Sequence, residues 1–275
     1  MGRPRHPLAL DALRALWPLL GLLAGLPHPA SLRCAQWILL WGVSVVAPLA
    51  LRLSGRRNWL LDLTAPLMLL GYLWEGPWLV AACSAWLACT LSMAWQVSQG
   101  EWTTRLGFYY APVGGIWALA SAWKHGLMGF DPLMTLLTAD HFLYVTLGAM
   151  VWAGQAAPRS YPARLMWITP ALVAAGITLS HWRGQATWLE GTAVGLQVLA
   201  TSGVSLLWLW RGEGLLLKTS ALCSLMTMVL ALNYAWGRLL DLPHLELAWM
   251  IPYHGLVNAL GFVSLGLAAW NYRAA

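Results

Sequence analysis

Apolar residues run along this chain in long blocks, broken by short clusters of Gly, Pro and Arg. The blocks fall at roughly 12–27, 34–53, 59–74, 77–97, 106–124, 133–155, 163–182, 187–210, 215–239 and 250–271. An α-helix rises about 1.5 Å per residue and needs about 20 apolar residues to cross a bilayer. Most blocks meet that length; the first and third are short. The joints carry turn formers such as Pro27, Pro29, Gly55, Gly100, Pro158, Gly184 and Gly212, which end helices by backbone geometry. The pattern predicts an all-α fold, a polytopic transmembrane helix bundle of about ten helices. It forms a single transmembrane domain over 1–275, with no soluble domain and no convincing internal repeat.

Composition agrees and narrows the class. The 275 residues are 59% hydrophobic and 9% charged, where soluble domains carry about 25% charged residues. Of the 16 Lys and Arg residues, all but Arg33, Lys124, Arg183 and Arg238 fall on the side of the N-terminus when ten helices alternate. The positive-inside rule then places both termini in the cytoplasm, and the expected location is the bacterial cytoplasmic membrane. The net charge of +6 follows from these loop arginines. No basic patch interleaved with exposed aromatics points to nucleic acid. The N-terminal apolar block is followed by PHPAS, without an A-x-A-like cleavage site, and reads as a retained first helix. Many of the 20 tryptophans sit near block ends, as interfacial belts do. Cys34, Cys83, Cys89 and Cys223 form no CxxC pair and read as small buried hydrophobes.

Polar residues inside the blocks change the picture most. An Asp at the centre of a membrane helix costs about 2.5–3.5 kcal/mol on insertion scales, so such groups are expected to face the bundle interior and pair. By helix rise, His254 lies roughly 6 Å from the outer face, Asn233 and Tyr234 roughly 8–9 Å, and His141 and Asn258 roughly 12 Å. They form one outer polar level. His254 and Asn258 are four apart and share a helix face, with Gly255 and Gly261 allowing close approach. Tyr144 follows His141 on nearly the same face. Asp140 and His141 are neighbours about 100° apart, so both are not expected to point one way. Tyr234 and Arg238 share another face, where Arg238 reads as snorkelling to water. Glu75 lies at a tight turn. No metal or cofactor is predicted; a haem between histidines on two helices is the one arrangement the spacing leaves open.

The stretches YYAPVGGIWALASAW, LLTADHFLYV and SLMTMVLALNYAWGRLLDLPHLELAWMIPYHGLVNALGF resemble the YndJ-like family of membrane proteins. In that family one helix carries LTAxHFHYAGF, and a YAxG segment precedes a Met and HGxxNALGF. Leu137, Thr138, Ala139, His141, Phe142 and Tyr144 fit the first pattern. Tyr234, Ala235, Gly237, Met250, His254, Gly255, Asn258, Ala259, Leu260, Gly261 and Phe262 fit the second. The likeness spans roughly 105–272. Leu143 stands where the family's second His would be, and Val145, Thr146 and Leu147 replace AGF. The resemblance implies a polytopic membrane protein, a family sometimes labelled as transporters.

Three functions follow as expectations. The first is binding or transport of a small solute through an outward-facing polar cavity lined by His254, Asn258, His141, Tyr144, Asn233, Tyr234 and Glu75. The second is acid–base catalysis within the membrane on an isoprenoid, quinone or polyketide. There His254 or His141 would act as base and Asp140 or Glu75 as acid. The third is a structural or assembly role in which the polar groups only join helices. The expected partners are the lipid bilayer and a small or lipid-like ligand.

Overall fold

The computed structural model describes residues 14–19, 30–211 and 214–274, and every long element among them is a helix. After a helical stretch at 14–19 come α1 (Ser31–Leu53), α2 (Trp59–Trp74), α3 (Gly76–Gln96), α4 (Trp102–Ala122), α5 (Pro132–Ala156), α6 (Thr169–Arg183), α7 (Trp188–Arg211), α8 (Leu215–Leu240) and α9 (Leu247–Arg273). Each apolar block from 34 onward contains one of these helices. Six of them, α1, α3, α5, α7, α8 and α9, are long and apolar enough to cross a membrane. The block at 12–27 lies mostly outside the described residues.

Local chemistry sets the helix starts. Asn58 Oδ1 accepts from the Leu60 N–H at 3.0 Å, Glu101 from Thr104 N–H at 2.9 Å, and Asp131 from Met134 N–H at 2.9 Å. Each side chain satisfies a donor that the first helical turn leaves unpaired. The block at 163–182 is not one helix. A short turn, Tyr161–Leu165, precedes α6. Pro170 sits in the first turn of α6 and has no N–H to bond back to the preceding turn, so the helix starts afresh there and α6 has only 15 residues.

Two helices form the centre. The apolar windows of α1 and α5 are 83% and 72% buried within the protein, against 33% for α3 and α8. Sequential helices pack as neighbours, and α1 closes the bundle by packing on both α5 and α9. Gly148 of α5 makes the α5–α9 approach possible: a Cβ there would meet Val263 Cγ1 at 2.5 Å. Small residues at such crossings let backbones come close.

The same three helices depart from α geometry. π-helical stretches occupy Gly42–Val46 in α1, Phe142–Met150 in α5 and Ile251–Ser264 in α9, and they touch one another. π turns are rare and cluster at functional sites. Here they adjoin the residues that the sequence singled out.

Candidate functional site

At one end of the bundle, α5 through α9 surround a cavity of about 280 Å³. The starts of α5, α7 and α9 meet the ends of α6 and α8 at this level. Its wall is mostly Leu, Val, Ile, Ala and Met, closed by Ile38 of α1, Trp117 of α4 and Phe130. Into it come Asp140, His141 and Tyr144 from α5, Tyr234 and Arg238 from α8, and His254 and Asn258 from α9. Four of the five residues predicted at one polar level thus border one contiguous space.

Two expected residues lie elsewhere. Asn233 is exposed and grips the α8–α9 connection, its Nδ2 donating to Pro243 O at 3.2 Å and its Oδ1 accepting from Leu245 N–H at 3.2 Å. It has the same depth as Tyr234, but the helical turn of about 100° between neighbours carries it to the outside. Glu75 sits at the α2–α3 turn with φ of +52°, and its carboxylate is 3.9 Å from Lys124 Nζ. It does not line the cavity, so neither the cavity's charge nor an acid there comes from Glu75. In the other direction, Asp140 and His141 both line it.

Most of the polar groups are saturated. His254 Nδ1 lies 2.9 Å from Thr227 O. A carbonyl only accepts, so Nδ1 carries the hydrogen and Nε2 is left to accept from Asn258 Nδ2 at 3.0 Å. Thr227 Oγ1 donates to Asn258 Oδ1 at 2.8 Å. This closed ring of three residues joins α8 to α9. It uses both nitrogens of His254, so a haem held by His254 and His141 would require the ring to be broken. Tyr144 donates to Ile38 O at 2.8 Å, tying α5 to α1 just before the π turn of α1.

A second network, which the sequence reading did not assemble, lies on α7. Glu190 Oε1 accepts from Arg238 Nη1 at 3.1 Å, and the Arg238 guanidinium stands 5.2 Å from the Tyr234 ring centroid. Arg238 therefore faces a buried carboxylate rather than snorkelling. Further along, Gln197 accepts from Thr169 at 2.6 Å and donates to Thr201 at 2.8 Å. The signal was present: Glu190, Gln197, Thr201 and Ser205 recur every four or seven positions, which marks one helix face.

Glu190 keeps one buried oxygen, Oε2, without a partner, and Asp140 and His141 go further. Asp140 is 6% exposed, and neither of its oxygens has a hydrogen-bond partner; His141 Nε2 is buried and also unpartnered. Buried polar groups are nearly always satisfied, and an unpaired carboxyl in apolar surroundings is costly. Among the described residues, no group of three or more His, Cys, Asp or Glu side chains could hold a metal ion.

The family model described as YndJ-like protein matches residues 37–262, which include every described lining residue of this cavity except Val263. A Bacillus subtilis (strain 168) protein named "Uncharacterized membrane protein YndJ" is 28% identical over 188 residues, covering 64% of this chain and 33% of that protein. The chain thus spans about a third of the length of the relative it matches. No solved structure matches it.

Proposed function

The chain belongs to the YndJ-like family of membrane proteins, and from that premise we propose that it binds a small, largely apolar solute in the α5–α9 cavity as one step of transport. The observation that carries this reading is the unpartnered pair, Asp140 and His141, in a wall where the other buried polar side chains are largely satisfied and only Glu190 Oε2 also lacks a partner. A ligand with a hydrogen-bonding head would complete them, while its apolar body fills the Leu, Val and Met surface. In this reading the bundle crosses the bacterial cytoplasmic membrane about ten times with both termini inside, and the cavity opens outward.

One observation favours catalysis as a second reading. Asp140 and His141 are adjacent, titratable and uncommitted, as an acid–base pair needs to be. The base would then be His141 rather than His254, whose nitrogens are both engaged.

The test is mass spectrometry of small molecules co-purifying with wild type and with Asp140→Asn at equal folded yield. Asn keeps the shape and removes the carboxylate. The proposal expects a specific molecule in wild type that falls at least about tenfold in the variant. Identical small-molecule content would refute it. A chemically altered product formed only by wild type would move the assignment to catalysis.

A further inference from the structure

A second pocket, of about 210 Å³, lies at the α1–α2 turn, at the C-terminal end of α1. Its character is the reverse of the first. Arg14, Arg52, Arg56 and Arg57 line it together with Asn58 and Asp62. Arg14 donates to Asp62 through Nε at 2.9 Å, which neutralises the one carboxylate among the described lining residues. Arg56 and Arg57 are exposed.

Asn58 supplies an independent observation. It is 5% exposed, and its Oδ1 is committed to capping α2 through the Leu60 N–H. That cap fixes the orientation of the amide, so Nδ2 is the group turned away from the helix. Nδ2 is buried and has no partner, although Asn58 lines the pocket. A buried unpaired donor at the N-terminus of a 16-residue helix, ringed by guanidinium groups, asks for an anion. Guanidinium forks match phosphate oxygens in geometry as well as charge.

We propose that this pocket binds a phosphate group, held by Asn58 Nδ2 and by Arg56 and Arg57. The pocket stands beside apolar, outward-facing surface. Trp59 is 68% exposed, and Leu63 and Leu67 of α2 are exposed on the same helix. An exposed Trp next to a row of exposed leucines is the signature of a membrane boundary. The phosphate of an anionic lipid headgroup is therefore within reach, and a soluble phosphate is the other source of the same chemistry. The residues lie on the arginine-rich side, where anionic lipids of the inner leaflet would meet them.

The experiment uses the full chain in detergent and follows its thermal melting. Dioleoyl phosphatidylglycerol is compared with dioleoyl phosphatidylcholine at equal mole fraction, and sodium phosphate with sodium chloride at equal ionic strength. Asn58→Asp is the decisive variant. It keeps the capping oxygen and so keeps the helix start, but it puts a carboxylate where the donor was. Arg56→Gln with Arg57→Gln removes two charges from the pocket. Arg159→Gln with Arg164→Gln removes two from another loop assigned to the same side, as a control.

The concentration of phosphatidylglycerol needed for half-maximal stabilisation is expected to rise at least about tenfold in Asn58→Asp and in the Arg56/Arg57 variant, and less than about twofold in the control. The same pattern with inorganic phosphate in place of lipid would also support the site and assign it to a soluble phosphate. If Asn58→Asp and the Arg56/Arg57 variant respond like the control to both probes, only general charge attraction is at work and the site does not exist.

Discussion

Single residues decide what each polar group contributes. Glu190 and Arg238 look symmetric as a pair but are not: the Glu190 side chain is 3% exposed and that of Arg238 is 32%. Removing Arg238 strands a buried carboxylate, which costs about 3 kcal/mol or more. Removing Glu190 leaves a guanidinium that can still reach water, at about 1 kcal/mol or less. Chemical or thermal unfolding should therefore find Arg238→Gln far more damaging than Glu190→Gln, with the double variant recovering most of the loss. Equal single losses would mean that the pair is effectively surface-exposed. The Thr227–Asn258–His254 ring is a milder case, because polar groups of unfolded helices also find partners in the membrane. Hydrogen bonds between membrane helices average about 0.6 kcal/mol and reach about 1.7. Thr227→Val is expected near the lower figure, since Asn258 and His254 keep each other. Asn258→Leu is expected near the upper one, since His254 Nε2 loses its donor. Unfolding measurements giving the reverse order would show that the ring is not as drawn.

Elements carry the next level, and here the sequence is readable in one respect and blind in another. Nearly every apolar block is a helix, because twenty apolar residues in lipid leave the backbone no better way to satisfy itself. Depth along a helix follows from rise alone, so His141, Tyr234, His254 and Asn258 fall at one level. Rotation about each axis does not follow, because it depends on which neighbours pack where. This is why Asn233, level with Tyr234, turns outward, and why Gln197 and Thr201, ordinary residues one by one, form a stripe only once their neighbours are known. The π stretches were invisible too, since no residue type marks them. They lie where α1, α5 and α9 meet, and that meeting depends on Gly148. Gly148→Ala should force α5 from α9 at a cost of about 1–3 kcal/mol, the usual range for overpacking. Adding Val263→Ala should restore most of the stability in thermal melting, because it removes the Cγ1 atom that the new methyl would strike. If the second change makes matters worse, the close approach lies elsewhere.

For the whole molecule, the two pockets divide the labour by chemistry. The α5–α9 cavity is apolar with an unpartnered acid and imidazole, suited to a lipophilic solute. The α1–α2 pocket is lined by arginines and suits a phosphate. α1 connects them: Ile38 lines the first, while Leu51 and Arg52 line the second, and this helix is the most buried span of the six. The measurement that tests the central claim most directly is native mass spectrometry of the intact chain released from detergent. Wild type, Asp140→Asn and the Arg56/Arg57 glutamine variant are compared for bound mass. The account predicts a small molecule bound to wild type that is lost in Asp140→Asn and retained in the arginine variant, while any bound phosphate or phospholipid follows the opposite pattern. If no bound mass is lost in Asp140→Asn, or the chain carries none in any form, the account is contradicted.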